Sequence, residues 1–452
     1  MSKNRSPWIH QLDHERPIEK LKQDLETDVA IVGGGIAGVS TAFFLLKNTD
    51  KKVVLVEGGR LGQGATGHNA GQITSYLAKP LHELVKEFKP QMVIEAQKAI
   101  EEEAWELLDV IYTEAQLDIP LSRFTGHLGV SSKEHLISFL EDNKTREESG
   151  LPLKEILVSD SVDFLPEIEK DFPGLYTTAP LKELLARLET DSSQFVAVLS
   201  EQKGCMNSAL FTQEVAKYLL NTYTGRFKVF EHTHITKVVL HKQQALLDAL
   251  EHTLTCKRVI LCTNGFDSIT IFDEAGLEID TKFHHSVESY IGYMSGYLDK
   301  PVKQPTAISY FPNAEAELDA PYMYLTRRPY EYNDNKHNLI SIGGPELFLE
   351  SRKTYEREHE YPDWAKDEID AFVHDIYKKD PKEKVDYIFT WHGLMGYTPS
   401  RLRSVGVEPK NSVLLYNLGC NGVGILPSIY GGKRISQIIK GEKLEPSIFD
   451  PK

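Results

Sequence analysis

Residues 28–38 read DVAIVGGGIAG. A short apolar run with strand character meets three consecutive glycines, and an apolar helical stretch, IAGVSTAFFLL, begins at once. Gly33, Gly35 and Gly38 stand in the spacing G-x-G-x-x-G. Each glycine has a separate physical reason. The first permits a tight turn, the second lets backbone approach a pyrophosphate, and the third lets helix and strand pack closely. The amides at the start of the helix, around Ile36 and Ala37, then offer hydrogen-bond donors and a positive dipole end to phosphate. A second strand over residues 52–57, KVVLVE, ends in Glu57, which lies 19 positions after Gly38. The expected interval to a ribose-binding acid is about 20 residues. Strand, turn, helix, strand and acid together predict a βαβ dinucleotide fold. Glu57 disfavours a 2′-phosphate, hence NADP, but the fingerprint does not choose between NAD and FAD.

The next segment departs from a plain NAD-binding pattern. Residues 64–72 read GATGHNAGQ, a small-residue loop that suits backbone pressed against a second flat ring system. Further along, residues 81–117 carry apolar positions at helical spacing and predict one or two long amphipathic helices. Residues 125–200 mix short strands with charged helices, and 211–221 reads as helix. Residues 227–239 and 253–261 read as strands. Residues 285–345, rich in Tyr, Ile, Val and Thr, predict a separate sheet. Residues 351–379 read as charged helix. The end returns to strand, glycine loop and helix in SVLLYNLGCNGVGILPSIYGGKRISQII.

Composition bounds the function classes. The chain has 452 residues, 41% hydrophobic and 26% charged, which suits two globular domains. A net charge of −15 argues against a nucleic-acid or anionic-membrane partner. No apolar stretch reaches the roughly 18 residues of a membrane span. Cys205, Cys256, Cys262 and Cys420 show neither a disulfide framework nor zinc spacing. His232, His234, His284 and His285 lack a further ligand at metal spacing, so no metal is expected. The expected location is the cytoplasm.

Five segments in order carry a family resemblance: DVAIVGGGIAGVSTAFFL…VVLVEGGRLGQGATGHNAGQ, FEHTHITKVV, RVILCTNGF, WHGLMGYTPSRLRSVG and LGCNGVGILPSIYGG. Together they resemble the D-amino acid oxidase superfamily of FAD enzymes, which includes glycine and sarcosine oxidases. The loop at 64–72 is most similar to that of the gamma-glutamylputrescine oxidase type. The resemblance implies a doubly wound, Rossmann-like FAD-binding domain of the glutathione-reductase type, in an α/β chain. It also implies an inserted α+β substrate domain on a mostly antiparallel sheet. The expected division gives residues 1–94, 195–279 and 386–452 to the FAD-binding domain. Residues 95–194 and 280–385 form the substrate domain and carry no matched motif.

Carried over residue by residue, the resemblance places FAD against Gly33, Gly35, Ile36, Ala37, Gly38, Glu57, Gly58 and Arg60. In the following loop it implies Gly64, Ala65, Thr66, His68, Asn69, Ala70 and Gly71. Later segments add Ile235, Thr263, Gly265, Gly393, Gly422, Val423, Gly424 and Ile425. The chain departs from the family pattern at Ser400, usually Asp, and at Val423, often His. Gly393 stands where a flavin-linking cysteine occurs in monomeric sarcosine oxidase. His68 aligns with the histidine that bonds the flavin 8α-methyl group in sarcosine and dimethylglycine dehydrogenases, so covalent FAD through His68 is one expectation. The alternative is a non-covalent contact.

The implied activity is oxidation of an amine or amino acid C–N bond. Hydride passes to flavin N5, and the resulting imine hydrolyses. Oxygen or a carrier then accepts the electrons. Catalytic side chains are not identifiable. For the substrate, Tyr322, Tyr324, Arg327 and Arg328 alternate on a strand, and an Arg near a Tyr can fork a carboxylate. The same pattern fits an exposed edge strand. Trp391 borders the expected flavin strand, where it serves either the substrate cavity or the core. The remaining alternatives are a D-amino acid or glycine oxidase with a carboxylate-clamping Arg, a non-catalytic FAD-binding protein and a plain NAD dehydrogenase.

Overall fold

The computed structural model describes residues 4–264, 269–279, 287–311, 322–350, 355–377 and 384–452. Leu25–Val32 is the predicted first strand, and it pairs in parallel with Val53–Val56 on one side and Thr253–Leu261 on the other. Parallel pairing continues outward to Phe227–Phe230 and to Leu414–Leu418. Strand alternation sorts the first strand between two cores. Val29 and Ile31 pack on one face, and Ala30 and Val32 on the other. The helix Ile36–Asn48 is buried at every position from Ile36 to Leu46, because it lies between the sheet and the C-terminal helix Ile425–Lys440. A Cβ on Gly432 would stand 2.8 Å from Thr41 N, so glycine sets how closely these two helices cross.

Among the described residues, a second sheet of ten strands is mostly antiparallel. Its strands run in the order Phe389–Tyr397, Glu288–Asp299, Asn335–Leu349, Met323–Tyr332, Thr306–Phe311, Ser122–Val130, Ala197–Cys205, Glu155–Ser159 and Thr177–Ala179. Gln72–Thr74 joins it by pairing with Ala197–Cys205. This is the inserted α+β architecture. Three of its strands, Gln72–Thr74, Ala197–Cys205 and Phe389–Tyr397, come from segments expected in the FAD-binding domain. At Gln72–Thr74 and Phe389–Tyr397 the chain passes between the two sheets at residues that border the candidate site.

Several local expectations differ in detail. Residues 81–117 are broken into Leu81–Glu87, Pro90–Lys98, a π-helical stretch Ala99–Glu103 and Ala104–Glu114. Pro90, which has no N–H to continue a helix, accounts for the first break. The predicted strand at 227–239 is two strands, Phe227–Phe230 and Lys237–Leu240, and Ile235 lies in the loop between them. The charged helix near 351–379 is Asp363–Asp375.

Candidate functional site

The glycine turn is set by contacts that exclude side chains. Gly33 has φ +111°, and a Cβ there would stand 2.6 Å from the Cys262 carbonyl oxygen. A Cβ on Gly38 would collide with the Gly33 carbonyl oxygen, so Gly38 serves packing rather than lining. Glu57 spans the turn. Its Oε2 accepts from Gly34 N–H at 2.7 Å and its Oε1 from Gly59 N–H at 2.7 Å. Ile36 N–H, the first helical amide, donates to Thr66 Oγ1 at 3.0 Å, which ties the loop 64–72 to the helix start.

Asn69 organises that loop. Its amide nitrogen donates to Thr66 O and Ser208 Oγ, and its side-chain oxygen accepts from Gly71 N–H at 2.7 Å. Its carbonyl accepts both indole N–H groups, Trp8 at 2.6 Å and Trp391 at 3.2 Å. Gly71 turns at φ +66°, where a Cβ would stand 2.6 Å from the Trp8 ring. His68 is 7% exposed. Its Nδ1 lies 3.0 Å from the Gly64 carbonyl, which requires the proton on Nδ1 and leaves the Nε2 lone pair available. Burial pulls its pKa down to about 4, against the pull of the Gly64 carbonyl, so the ring is neutral at pH 7. A Cβ on Gly393 would stand 2.5 Å from the His68 carbonyl oxygen, so the second sheet touches the loop at bare backbone.

These elements enclose a cavity of about 470 Å³ that adjoins a second of about 410 Å³. Gly33, Glu57, Thr263, Tyr355 and Arg357 border both chambers. From the turn, Gly35, Ile36 and Ala37 line the larger chamber. From the loop, Gly64, Ala65, Thr66, His68, Asn69 and Ala70 line it. Gly393 and the terminal Gly422, Val423, Gly424 and Ile425 complete that side. Gly58 and Ile235 line the smaller chamber. Val423 N–H donates to Cys420 O at 2.9 Å, so this amide is used within its own turn.

Three cofactor candidates lie elsewhere. Gly38 and Gly71 pack against protein, and the Arg60 guanidinium donates to the His14 and Arg16 carbonyls. Gly265 lies outside the described residues, as do His284 and His285.

The substrate candidates separate. Tyr324 lines the larger chamber with Tyr322, whose hydroxyl lies 3.2 Å from that of Tyr76. Arg327 does not reach the chamber, and the carboxylate clamp expected there is corrected. Its two terminal nitrogens fork Glu189 at 2.7 Å each, and its Nε donates to Gln304 O. Strand parity explains this, because residues 324 and 327 project to opposite faces. Arg328 shares the parity of Tyr324 but is buried 5.0 Å over the Trp8 ring. Trp391 is fully buried behind the loop and props Asn69. Unanticipated lining residues include Gln63, Asn264, Met294, Glu346, Arg357 and Arg403. The only available sequence signal for Glu346 was the Gly-Gly-Pro that precedes it, a strand irregularity mark.

An FAD fits this donor set. Two adjoining chambers meet at the glycine turn, as a molecule with two ring systems joined by a pyrophosphate requires. Thr263 Oγ1, buried beside both, has no hydrogen-bond partner among the described residues. A family model described as FAD dependent oxidoreductase matches residues 28–438. The chain belongs to that family. FAD is accordingly its cofactor. Gamma-glutamylputrescine oxidoreductase of Escherichia coli is 33% identical over 72 residues, covering 16% of this chain and 17% of that protein. The first two curated relatives are matched over only 13% and 17% of their length. Among solved structures, glycine oxidase from Geobacillus kaustophilus superposes with a TM-score of 0.65 at 17% identity, over 94% of this chain and 98% of that one. L-proline dehydrogenase from P. horikoshii gives 0.66 at 16% identity, over 94% and 97%. At such identities the likeness is one of fold. No helix among the described residues is long and apolar enough to cross a membrane.

Proposed function

We propose that this protein oxidises the C–N bond of a small amine or amino acid. The observation that carries this reading is the larger chamber itself. One wall is the loop 64–72 and the terminal glycine turn, and the other is an aromatic floor of the second sheet, with Tyr322, Tyr324 and Tyr397. When bound, FAD supplies the acceptor, N5, for hydride leaving the carbon next to nitrogen. Everything else is positioning. Burial pushes the Tyr324 and Tyr397 phenols well above their ordinary pKa, so they stay protonated and can orient a substrate by donating hydrogen bonds. His68, on the loop wall, is held neutral by burial. Gly422 and Gly424 N–H groups, which donate to no described residue, stand at the start of the helix Ile425–Lys440. They offer donors and a positive dipole end where negative charge accumulates. The imine then hydrolyses in water, and oxygen or an electron carrier takes the electrons.

The test is spectroscopic. Purified protein should carry a flavin absorption spectrum, and anaerobic addition of a panel of amines and amino acids should bleach it for at least one class. A protein without flavin bands refutes the cofactor reading. Flavin bands that no amine or amino acid bleaches leave a binding protein rather than an oxidising enzyme. Bleaching by glycine or D-amino acids, but not by simple amines, selects the amino acid oxidase alternative.

A further inference from the structure

Glu346 stands in the larger chamber at an unusual place in the second sheet. Its strand, Asn335–Leu349, pairs with Glu288–Asp299, and the register shifts between Gly292 and Met294. Met294 faces Gly343, whereas Gly292 faces Glu346. Two residues, Gly344 and Pro345, therefore oppose the single Tyr293. In a regular strand, residues 343 and 346 would project to opposite faces. The bulge brings both to the face of Gly292 and Met294, which is the cavity face. It thus aims a carboxylate inward.

The row across the sheet otherwise carries no side chain of its own, and the Met395 methyl reaches over it at Gly292. Glu346 faces Gly292, and Gly292 faces Gly393, which abuts His68. Two strand spacings of about 4.8 Å make this strip roughly 10 Å long. A small molecule lying along it would reach from the His68 loop, past the flexible Met395 side chain, to the Glu346 carboxylate. Tyr322, Tyr324 and Tyr397 flank the Glu346 end.

The electrostatics of that end are one-sided. Glu346 has no hydrogen bond or ion pair with any described residue. Burial pushes its pKa up to about 7, and the field of Arg401 only partly opposes this. Arg401 itself lies 4.8 Å over the Tyr397 ring and pairs with Glu288 at 3.3 Å. The facing phenols of Tyr322, Tyr324 and Tyr397 are held protonated by burial. Neither arginine that lines the chamber serves this end. Arg403 donates to Asn417 and to the Gly419 carbonyl, and Arg357 stands beside Gly59 at the junction with the smaller chamber. Among the described residues no lysine lines it. A ligand carboxylate here would face like charge. A ligand cation would meet a carboxylate and the faces of tyrosine rings.

We propose that Glu346 is the specificity anchor of the cavity and binds the charged nitrogen of a small organic cation at the end remote from His68. Resting on the amine-oxidation reading, this makes the substrate an amine with a second, protonated nitrogen. It is not an amino acid held by its carboxylate.

The probe is benzyltrimethylammonium, which is charged at every pH and lacks the nitrogen lone pair that oxidation needs. Its binding to the flavin-loaded protein is measured by calorimetry at pH 5.5, 7 and 8.5, beside benzoate. A group titrating near 7 is a few per cent ionised at the lowest pH and almost wholly ionised at the highest. Cation binding should therefore tighten about tenfold or more across the range. Glu346→Gln should flatten that profile and weaken binding at pH 8.5 by about tenfold or more, whereas Glu346→Asp should keep it. Benzoate should bind more weakly than the cation at pH 8.5. A flat profile in the unmutated protein, an unchanged profile in Glu346→Gln, or tighter binding of benzoate overturns the proposal. The two readings fail separately. Cation binding with this profile, but without bleaching by any amine or amino acid, sinks the oxidation and keeps the anchor. Bleaching by amino acids that Glu346→Gln leaves unaltered sinks the anchor and keeps the oxidation.

Discussion

Replacing Arg327 with leucine should damage stability and leave substrate discrimination alone. Burial pushes the Glu189 carboxyl up, but the forked hydrogen bonds and charge of Arg327, aided by Lys303, override it and bring the pKa down to about 2. A free glutamate titrates near 4.3, so the difference corresponds to roughly 3 kcal/mol at about 1.4 kcal/mol per pH unit. Glu189 is 24% exposed and Lys303 remains 3.0 Å away in the variant, so part of that survives. The expected loss in urea unfolding at pH 7 is about 2–3 kcal/mol. Because the folded pKa is depressed, the stabilisation is complete above the ordinary glutamate range and is lost as pH falls from about 4.5 towards 2. The gap between unmutated protein and Arg327→Leu should therefore narrow in that window. KM for carboxylate-bearing and simple amine substrates should change alike. A variant of unaltered stability that selectively loses affinity for carboxylates would refute this account and return Arg327 to the substrate site.

Three further outcomes follow from the FAD side of the cavity. Gly35→Val places a Cβ 2.9 Å from Thr66 Oγ1, the acceptor of Ile36 N–H, and should yield folded protein without flavin; a full flavin spectrum contradicts it. Glu57→Ala should weaken FAD binding by about 1–3 kcal/mol and also lower the apoprotein Tm, since the Gly34 and Gly59 amides lose their acceptor; unchanged FAD affinity removes Glu57 from the ribose site. A covalent flavin through the free Nε2 of His68 requires that flavin stay with acid-precipitated protein and be lost in His68→Ala; complete release into the supernatant leaves His68 as a packing contact.

What the sequence disclosed, and what it hid, divides along the range of the forces involved. Gly33 and Gly38 are legible because each answers to backbone only a few residues or one strand away, where local geometry admits no other residue; Gly35, whose neighbour is the Thr66 hydroxyl, is legible through its place in the same spacing. Asn69 and Thr66 are legible as members of a small-residue loop, although their tasks are not. Nothing local says that Asn69 would hold two indoles from positions 8 and 391. Arg327 was misplaced although period-two alternation alone puts it on the face opposite Tyr324. The pairing with Glu189, 138 positions earlier, follows from that face.

Glu346 shows why the substrate end resists reading. Its orientation depends on the Gly344–Pro345 bulge, which reverses the parity of every later residue on that strand. Its surroundings depend on Gly292 and Gly393 being aligned with it by the register of two strand pairs. A one-residue slip in either pair would put a further side chain, beside the Met395 methyl, between the carboxylate and His68, and the strip would close. The FAD half of the cavity is specified by short-range backbone constraints that many side-chain sets satisfy. The substrate half is specified by two strand registers and a bulge holding at once. That difference predicts where change is tolerated. Substitutions on the aromatic floor should alter which ligand binds while the flavin spectrum stays intact, whereas substitutions at the glycine turn should lose the flavin first.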